Sequence, residues 1–476
     1  MTSGSSTTTA APNCMTAGES LMATTPLSLE VLAERFTELK PPLSRREAKI
    51  EANRCLYCFD APCIRACPTS IDIPTFIKKI ATDNITGSAV TILEANLMGA
   101  TCSRVCPVEE LCEGACVLGS DHKPIEIGRL QRYAMDYLYS LDLAPFTPAP
   151  DNGRSVAIVG AGPAGLTCAG ELAKLGYRTT VFEKNELPGG LSTYGIVVMR
   201  EPIRVSLQEV EFIRQLGVEI RTGVTVGSDI PTEELLKNYD AVFIGAGMGS
   251  VPQLGIPGEN LEGSTEALSF IAATKLAEKD GLEGLADLPV GREVAIIGAG
   301  NTAIDAATIA KRLGAERVVI VYRRGETEMP AYDFEVDFIR SEGVEFRFLN
   351  QPVEVIGEGG RVTGLRCVRV ALGEPGPDGR RRPAPVEGSE WVLPCDQVIR
   401  AIGQEAPHAL AQAFDLEQES GYLKVDSELR TSNPQVFAGG DCIRLVGEAM
   451  TVTATEDGKI AARSIHAQLS SAAAAL

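Results

Sequence analysis

Histidine is nearly absent. The 476 residues hold three, His122, His408 and His466, far apart in the chain. That scarcity excludes a multi-histidine metal centre and argues against a hydrolase built on a nucleophile with a histidine base. Long apolar runs are missing as well. No stretch reaches eighteen residues, so no ordinary membrane-spanning helix is expected. Positive charge is scarce: Lys+Arg 44 against Asp+Glu 63 leaves a net charge of −19. Such a surface repels phosphate backbones and anionic bilayers, so neither nucleic acid nor a membrane is an expected partner. The first basic residue is Arg35, and Glu19 is the only charge in residues 1–26. A secretory signal needs a basic start and an apolar stretch, and a transit peptide is Arg-rich; neither is seen, and a cytoplasmic location is expected. Residues 1–26, rich in Ser, Thr and Ala, read as a disordered tail with Cys14 incidental in it.

What remains is an ordinary globular mixture, 44% hydrophobic and 22% charged, of a length that suggests about three domains. Helical spacing marks Leu29–Phe36, Ile73–Ile80, Ala89–Leu97 and Ile127–Leu138. The segment from Ala144 to Gly153 carries three prolines and a glycine and reads as a linker. After it the texture changes to short apolar strands: Ser155–Val159, Thr179–Glu183, Val218–Thr222, Ala241–Gly245, Val398–Ile402 and Val436–Ala438. Val353–Ile356 and Arg361–Leu372 flank a glycine pair and read as a hairpin.

Eight cysteines fall between positions 55 and 116. Cys55, Cys58, Cys63 and Cys67 form C-x2-C-x4-C-x3-C followed by Pro68; Cys106 opens a C-P-x4-C-x3-C run through Cys112 and Cys116; Cys102 lies between. Disulfides need an oxidising compartment, for which there is no export signal. Zinc usually takes two paired knuckles, whereas dense spacing closed by Cys-Pro suits iron–sulfur ligation, in which several thiolates converge from one short loop. Spacing alone suggests two clusters with eight cysteine ligands and does not assign them. Cys168, Cys367, Cys395 and Cys442 sit in apolar surroundings and read as small core residues.

Two glycine fingerprints follow strands and open helices. The first runs through Gly160, Gly162, Pro163, Ala164 and Gly165, and Glu183 closes the next strand. Gly160 allows the tight turn, Gly162 lets the backbone approach a pyrophosphate, Gly165 lets helix and strand pack, and the acid holds a ribose hydroxyl. The acid suits an unphosphorylated adenosine ribose, as in FAD or NAD. The second runs through Gly298, Gly300, Asn301, Thr302 and Ala303, and its second strand ends in Arg323 and Arg324 in place of an acid. Two guanidinium groups suit a 2′-phosphate, so this site leans to NADPH over NADH. Gly440 and Asp441, after a late strand, suit the ribityl and phosphate side of FAD, and Gly190 lies in the glycine pair that follows Glu183. Thr451 and Val452 begin a helix, Met450–Arg463, whose first amides are placed to stabilise a flavin anion.

The expected fold is therefore α/β: two Rossmann-like dinucleotide-binding domains preceded by an α-helical iron–sulfur domain. The expected division is a tail over 1–26, a helical domain with two 4Fe-4S clusters over 27–150, a discontinuous FAD domain over 151–287 and 401–476, and an NAD(P)H domain over 288–400.

The run from Cys55 to Pro68, Leu111–Cys116 and Pro124–Arg132 resemble the amino-terminal half of dihydropyrimidine dehydrogenase and the flavin/iron–sulfur subunit of its bacterial counterpart. The small subunit of glutamate synthase and the large subunit of NADH-dependent ferredoxin–NADP oxidoreductase share this architecture, and Tyr322–Ala331 resembles glutamate synthase as well. The resemblance implies one cluster on Cys55, Cys58, Cys63 and Cys116. It implies a second on Cys67, Cys106, Cys112 and a non-cysteine ligand, which Gln131 matches, leaving Cys102 a bystander. Gln131 and the run Asp60-Ala61-Pro62-Cys63 tip the resemblance towards the pyrimidine branch. It implies an electron-input subunit that oxidises NAD(P)H at FAD and passes single electrons through the clusters, with no protein acid–base required. These units use up the chain, with none left for a substrate-reducing barrel, so a hetero-oligomer is expected. The partner is an FMN/iron–sulfur dihydropyrimidine dehydrogenase subunit reducing uracil or thymine, or the glutamate synthase large subunit; a ferredoxin-type oxidoreductase subunit is the further alternative.

Overall fold

The computed structural model describes residues 27–141, 143, 145–376, 381–444 and 449–474. The expected tail and Cys14 lie outside them. Seven helices come first: α1 (Leu29–Arg35), α2 (Arg45–Ala52), α3 (Pro62–Ala66), α4 (Ile73–Ala81), α5 (Ile85–Ala95), α6 (Gly99–Val105) and α7 (Ile127–Ser140). Short polar side chains start several of them. Ser44 and Glu47 form a reciprocal cap at α2, Asp72 caps α4, and Asn84 caps α5 by accepting the Gly87 N–H at 3.0 Å. The apolar stripe of α4 (Ile73, Phe76, Ile77, Ile80) packs with Ile92 and Leu93 of α5 and Leu130 and Leu138 of α7 in one core.

The next unit is β1 (Ser155–Val159), α8 (Pro163–Lys174), β2 (Arg178–Phe182), α9 (Leu191–Tyr194), α10 (Ile203–Gln215), β3 (Glu219–Arg221), α11 (Thr232–Asn238) and β4 (Ala241–Ile244). β1 lies at the centre of a five-stranded parallel sheet flanked by β4 and β2. Its residues are buried Val, Ala and Ile, as a strand covered on both faces must be. Then come β5 (Ser264–Glu266), α12 (Ala267–Glu278), α13 (Gly281–Ala286), β6 (Glu293–Ile297), α14 (Asn301–Leu313), β7 (Arg317–Tyr322), α15 (Asp333–Ser341) and β8 (Glu345–Phe348). β9 (Asn350–Glu358), β10 (Arg361–Pro375), β11 (Arg381–Pro385) and β12 (Trp391–Pro394) form an antiparallel sheet, in which β9 and β10 are the expected hairpin. β13 (Gln397–Arg400), α16 (His408–Ala413), β14 (Gln418–Glu419), β15 (Tyr422–Leu423), β16 (Val436–Ala438) and α17 (Thr451–Ala474) complete the chain.

The second parallel sheet has the order β5-β13-β6-β7-β8, with β6 at its centre as β1 is in the first. The late strand β16 returns to pair with β4 in the first sheet. The expected α/β class with two Rossmann-like sheets after a helical segment is the observed one.

Three expectations about boundaries need correction. β5 pairs in parallel with β13, so 264–266 and the helices after it join the second sheet rather than the first. Ser-Thr-Glu carries no apolar run, and edge pairing alone makes it a strand. α1 buries Leu32 and Phe36 among residues of α14 and its neighbours instead of joining the helices that follow it. α17 starts at the expected place but runs on to Ala474. Along α17 the buried ammonium of Lys459 donates to the carbonyls of Thr69 (3.0 Å) and Ala95 (2.8 Å), fastening the first sheet's long helix to the cysteine-bearing helices.

Candidate active site and redox centres

The first fingerprint has the geometry its glycines dictate. Gly160 sits at φ +98°, and a Cβ there would come within 2.6 Å of the Gly245 carbonyl oxygen. A Cβ on Gly165 would lie 2.0 Å from the Gly160 oxygen, so helix and strand approach as closely as backbone permits. Gly162 differs: nothing lies nearer to its absent Cβ than 4.0 Å. The space above it is open, and no packing contact of the fold requires a glycine there. Gly162 is also the N-cap of α8, with Pro163 at the first helical position, so unpaired helix amides face the same space. Gly190, at φ +58°, packs its Cα side against Gly162. Glu183 is buried and accepts the Ala161 N–H at 2.8 Å and the Asn185 N–H at 2.9 Å.

Gly160, Gly162, Pro163, Glu183 and Gly190, though not the tightly packed Gly165, line one cleft of about 1330 Å3 at the carboxyl edge of the first sheet. Such a volume exceeds the usual range for one drug-sized ligand and suits two long dinucleotides. Gly440, Asp441, Thr451 and Ala164 line it too, while the Val452 side chain is buried in the core, leaving its backbone alone to serve the helix N-terminus. Burial pushes the Asp441 carboxyl up from the ordinary aspartate range, against the pull of Arg444.

The second fingerprint repeats the pattern. Gly298 is at φ +122°, and a Cβ would meet the Ala401 oxygen at 2.1 Å; Gly300 caps α14, and its nearest neighbour would be Pro330 Cγ at 3.7 Å. Ala303 is fully buried on α14, where the third glycine of the pattern would pack. Thr302 stands beside it in the first turn. Asn301 lines the shared cleft, and its side-chain oxygen accepts the Tyr332 N–H at 3.3 Å. Arg323 is exposed just past β7, and Arg324 donates to the Arg381 carbonyl at 3.1 Å.

A charged trio that sequence reasoning missed sits between the two fingerprints. Arg200 donates to Glu335 at 2.5 Å and lies 3.9 Å from Asp305. All three line the cleft. Burial raises the Asp305 carboxyl to about 6, opposed by Arg200 and reinforced by Glu335. The available signal was Asp305 one helical turn after Asn301, on the same face of α14; nothing in the sequence names Arg200 as its partner.

The cysteines form two neighbouring groups. Cys55, Cys58, Cys63 and Cys116 ring one small pocket floored by Ala61, Ile73 and Ile77. Burial first, then the fields of Cys55 and Cys116, pushes the Cys63 thiol to about 11. The second group gathers Cys106, Cys112 and Cys67, together with Cys102, whose thiol shares a hydrogen bond with that of Cys106. Among the described residues no three His, Cys, Asp or Glu converge on a point that one ion would fill. Tetrahedral zinc would hold thiolates about 3.8 Å apart, from a Zn–S length of about 2.3 Å; a four-iron cube spaces its thiolates more widely. Four thiols around one pocket are the donor set that such a cluster takes. Gln131 is buried on α7, and its amide nitrogen donates to the Gly99 carbonyl at 2.7 Å, which orients the side chain. Gly99 begins α6, the helix that ends at Cys106. Cys102 is thus closer to the second group than a bystander need be. Cys168, Cys367, Cys395 and Cys442 are buried core residues, as their apolar surroundings suggest.

The two kinds of site meet. Cys106 and Pro107 line the same cleft as Gly160, Gly162 and Asp441. The second cysteine group therefore opens on the dinucleotide cleft, and the first lies beyond it, with Cys112 feeling the field of Cys63.

Among the described residues no helix is long and apolar enough to cross a membrane. Residues 32–142 match the family model described as dihydropyrimidine dehydrogenase domain II, 4Fe-4S cluster, and residues 154–458 match the pyridine nucleotide-disulphide oxidoreductase model. The chain is 37% identical over 449 residues to the small chain of NADPH glutamate synthase from Halomonas elongata, covering 91% of this chain and 93% of that one. It is 36% identical over 452 residues to the Escherichia coli small chain, covering 92% and 94%. FprA of Mycobacterium tuberculosis in complex with NADPH shares the fold, with a TM-score of 0.55 at 22% identity over 69% of this chain and 86% of that one. The pyrimidine branch that Gln131 and the Asp60–Cys63 run favoured is not where these whole-chain relatives lie; a few residues in the cluster region are outweighed by similarity along the full length. The chain belongs to the pyridine nucleotide-disulphide oxidoreductase family, as an NAD(P)H-dependent oxidoreductase with FAD and an amino-terminal 4Fe-4S domain.

Proposed function

We propose that this chain is the electron-input subunit of a glutamate synthase-type complex, taking reducing equivalents from NADPH and delivering them to a larger catalytic chain. The observation that carries the reading is the meeting of Cys106 with the fingerprint loop in one cleft. A hydride carrier and a one-electron relay must lie side by side for a pair of electrons to be split, and Cys106 sharing a cleft with Gly160 and Gly162 supports that arrangement. When bound, FAD accepts a hydride from NADPH, and the 4Fe-4S groups carry electrons one at a time.

The roles of the chain's own residues follow. Gly160, Gly162, Pro163, Ala164, Gly165 and Gly190 admit the FAD pyrophosphate, Glu183 its ribose, and Asp441 with the start of α17 the flavin side. Gly298, Gly300, Asn301, Thr302 and Ala303 admit the NADPH pyrophosphate, and Arg323 and Arg324 its 2′-phosphate. Cys55, Cys58, Cys63 and Cys116 hold one cluster. Cys67, Cys106 and Cys112 hold the other, with Gln131 the fourth ligand. The division into a cluster-bearing helical unit, an FAD unit around the first sheet and an NADPH unit around the second belongs to the same reading.

The partner is a glutamine-dependent glutamate synthase large chain, since the small chains of that enzyme are similar to this one over nearly their whole length. Mixing this chain with a purified large chain and following NADPH oxidation at 340 nm tests the reading. Oxidation that requires glutamine plus 2-oxoglutarate is expected; oxidation driven instead by uracil with a pyrimidine-reducing partner overturns it.

A further inference from the structure

The cysteine loop exposes an aromatic ring that the fold does not use. Phe59 is 105% exposed, Leu56 59% and Val117 47%. Leu56 and Val117 form the rim of the pocket ringed by Cys55, Cys58, Cys63 and Cys116, and Phe59 follows Cys58 directly. Scattered single apolar residues on a surface need no explanation, but two at the rim of one pocket with a third beside one of its cysteines do.

The loop is held in this form at a cost. Tyr57 has φ +51°, a left-handed conformation that a bulky residue rarely adopts. Its hydroxyl donates to the Ala52 carbonyl at 3.1 Å, and the Lys78 ammonium lies 4.7 Å from its ring centroid. With Tyr57 pinned inward from both sides, Leu56 and Phe59 are turned outward while Cys55 and Cys58 face the pocket. A loop needed only to hold metal has no reason to present an aromatic ring to water.

The order of the redox groups says what covers this patch. The cleft lies against Cys106, the group of Cys67, Cys106 and Cys112 comes next, and the ring of four cysteines comes last. The patch surrounds the far end of that series, where electrons leave. We infer that Phe59, with Leu56 and Val117, is the docking surface for the electron-accepting protein, an apolar anchor that seats the acceptor's own redox centre over the pocket of Cys55, Cys58, Cys63 and Cys116. The inference rests on the electron-input reading and adds the exit face. An aromatic side chain at the centre of a contact is the residue type most often found to carry its affinity.

Phe59→Ser is the decisive variant, since a fully exposed ring contributes nothing to the core; Phe59→Leu is the conservative control. Binding of the holoprotein to an immobilised glutamine-dependent large chain, and the KM for a soluble bacterial ferredoxin as a second acceptor, are measured beside iron content and visible spectrum. Phe59→Ser is expected to weaken binding to at least one probe about tenfold or more, with Phe59→Leu near the wild type and with iron and flavin unchanged. If Phe59→Ser binds as the wild type does, or if the wild type engages neither probe, the docking surface is overturned. If the large chain alone fails while ferredoxin still discriminates Phe59→Ser, only the glutamate synthase reading falls. A wild-type dimer in light scattering that Phe59→Ser dissolves would assign the patch to a second copy of this chain and also overturn the inference.

Discussion

The carboxylate of Glu183 accepts the N–H of Ala161 at 2.8 Å, so the acid at the end of the second strand is locked against the glycine loop at the end of the first. Its other oxygen takes the Asn185 N–H. The side chain is therefore oriented before any ribose arrives. Glu183→Ala leaves a buried backbone donor unpaired as well as removing the ribose acceptor, and FAD affinity is expected to fall at least about tenfold. Flavin retained after gel filtration measures it; a full complement of FAD would refute the assignment.

Gly162 and Gly165 respond differently to the same change. Gly165→Ala pushes a methyl to 2.0 Å from the Gly160 oxygen and is expected to destabilise the whole protein by several kcal/mol, about 3 or more. Gly162→Ala meets no protein atom nearer than 4.0 Å, so the fold is kept and FAD is lost. Thermal melts of the apoprotein beside flavin content separate the two; equal loss of stability would show that the space above Gly162 is not a ligand's.

Replacing Arg323 and Arg324 together by Ala is expected to raise the KM for NADPH about tenfold or more while leaving that for NADH within about threefold. Steady-state assays with both nucleotides decide it. A parallel loss would remove the 2′-phosphate role.

Glu209 links stability to pH. It is buried on α10, accepts the Ala100 N–H at 2.6 Å, and burial foremost, with the field of Glu201, raises its carboxyl to about 8. The folded protein therefore keeps a proton that the unfolded chain releases near the ordinary glutamate value of 4.5. Stability from this group is complete at low pH and is lost as pH rises from about 4.5 through 8. Glu209→Gln, which mimics the protonated acid, is expected to flatten the fall in Tm between pH 5 and pH 8. A slope equal to the wild type's would mean that Glu209 is ionised in the fold.

Much of this architecture is legible because its chemistry is local. Strand β1 from Ser155 to Val159 announces itself by a run of apolar residues, and Gly160 by a turn that only glycine closes. The four cysteines of the first group reach one pocket although Cys116 lies 53 residues from Cys63 in the chain, a gathering implied by family resemblance and not by spacing. The rest depends on tertiary contact. Ser264–Glu266 is a strand only because β13 lies beside it. Arg200 meets Asp305 and Glu335 from a loop more than one hundred residues away, and no period or motif encodes that meeting. Gln131 is buried on α7, but a single residue matched to a family's cluster ligand could not choose the branch of relatives.

Iron, acid-labile sulfide, zinc and flavin measured on the anaerobically purified chain test the central claim most directly. About eight irons, a matching amount of sulfide and one FAD per chain are expected, with NADPH bleaching both the flavin and the broad iron–sulfur absorbance. Gln131→Leu should change the EPR signal of one cluster and leave the other. Zinc in place of iron, or a colourless protein that iron, sulfide and FAD fail to reconstitute, would contradict the account.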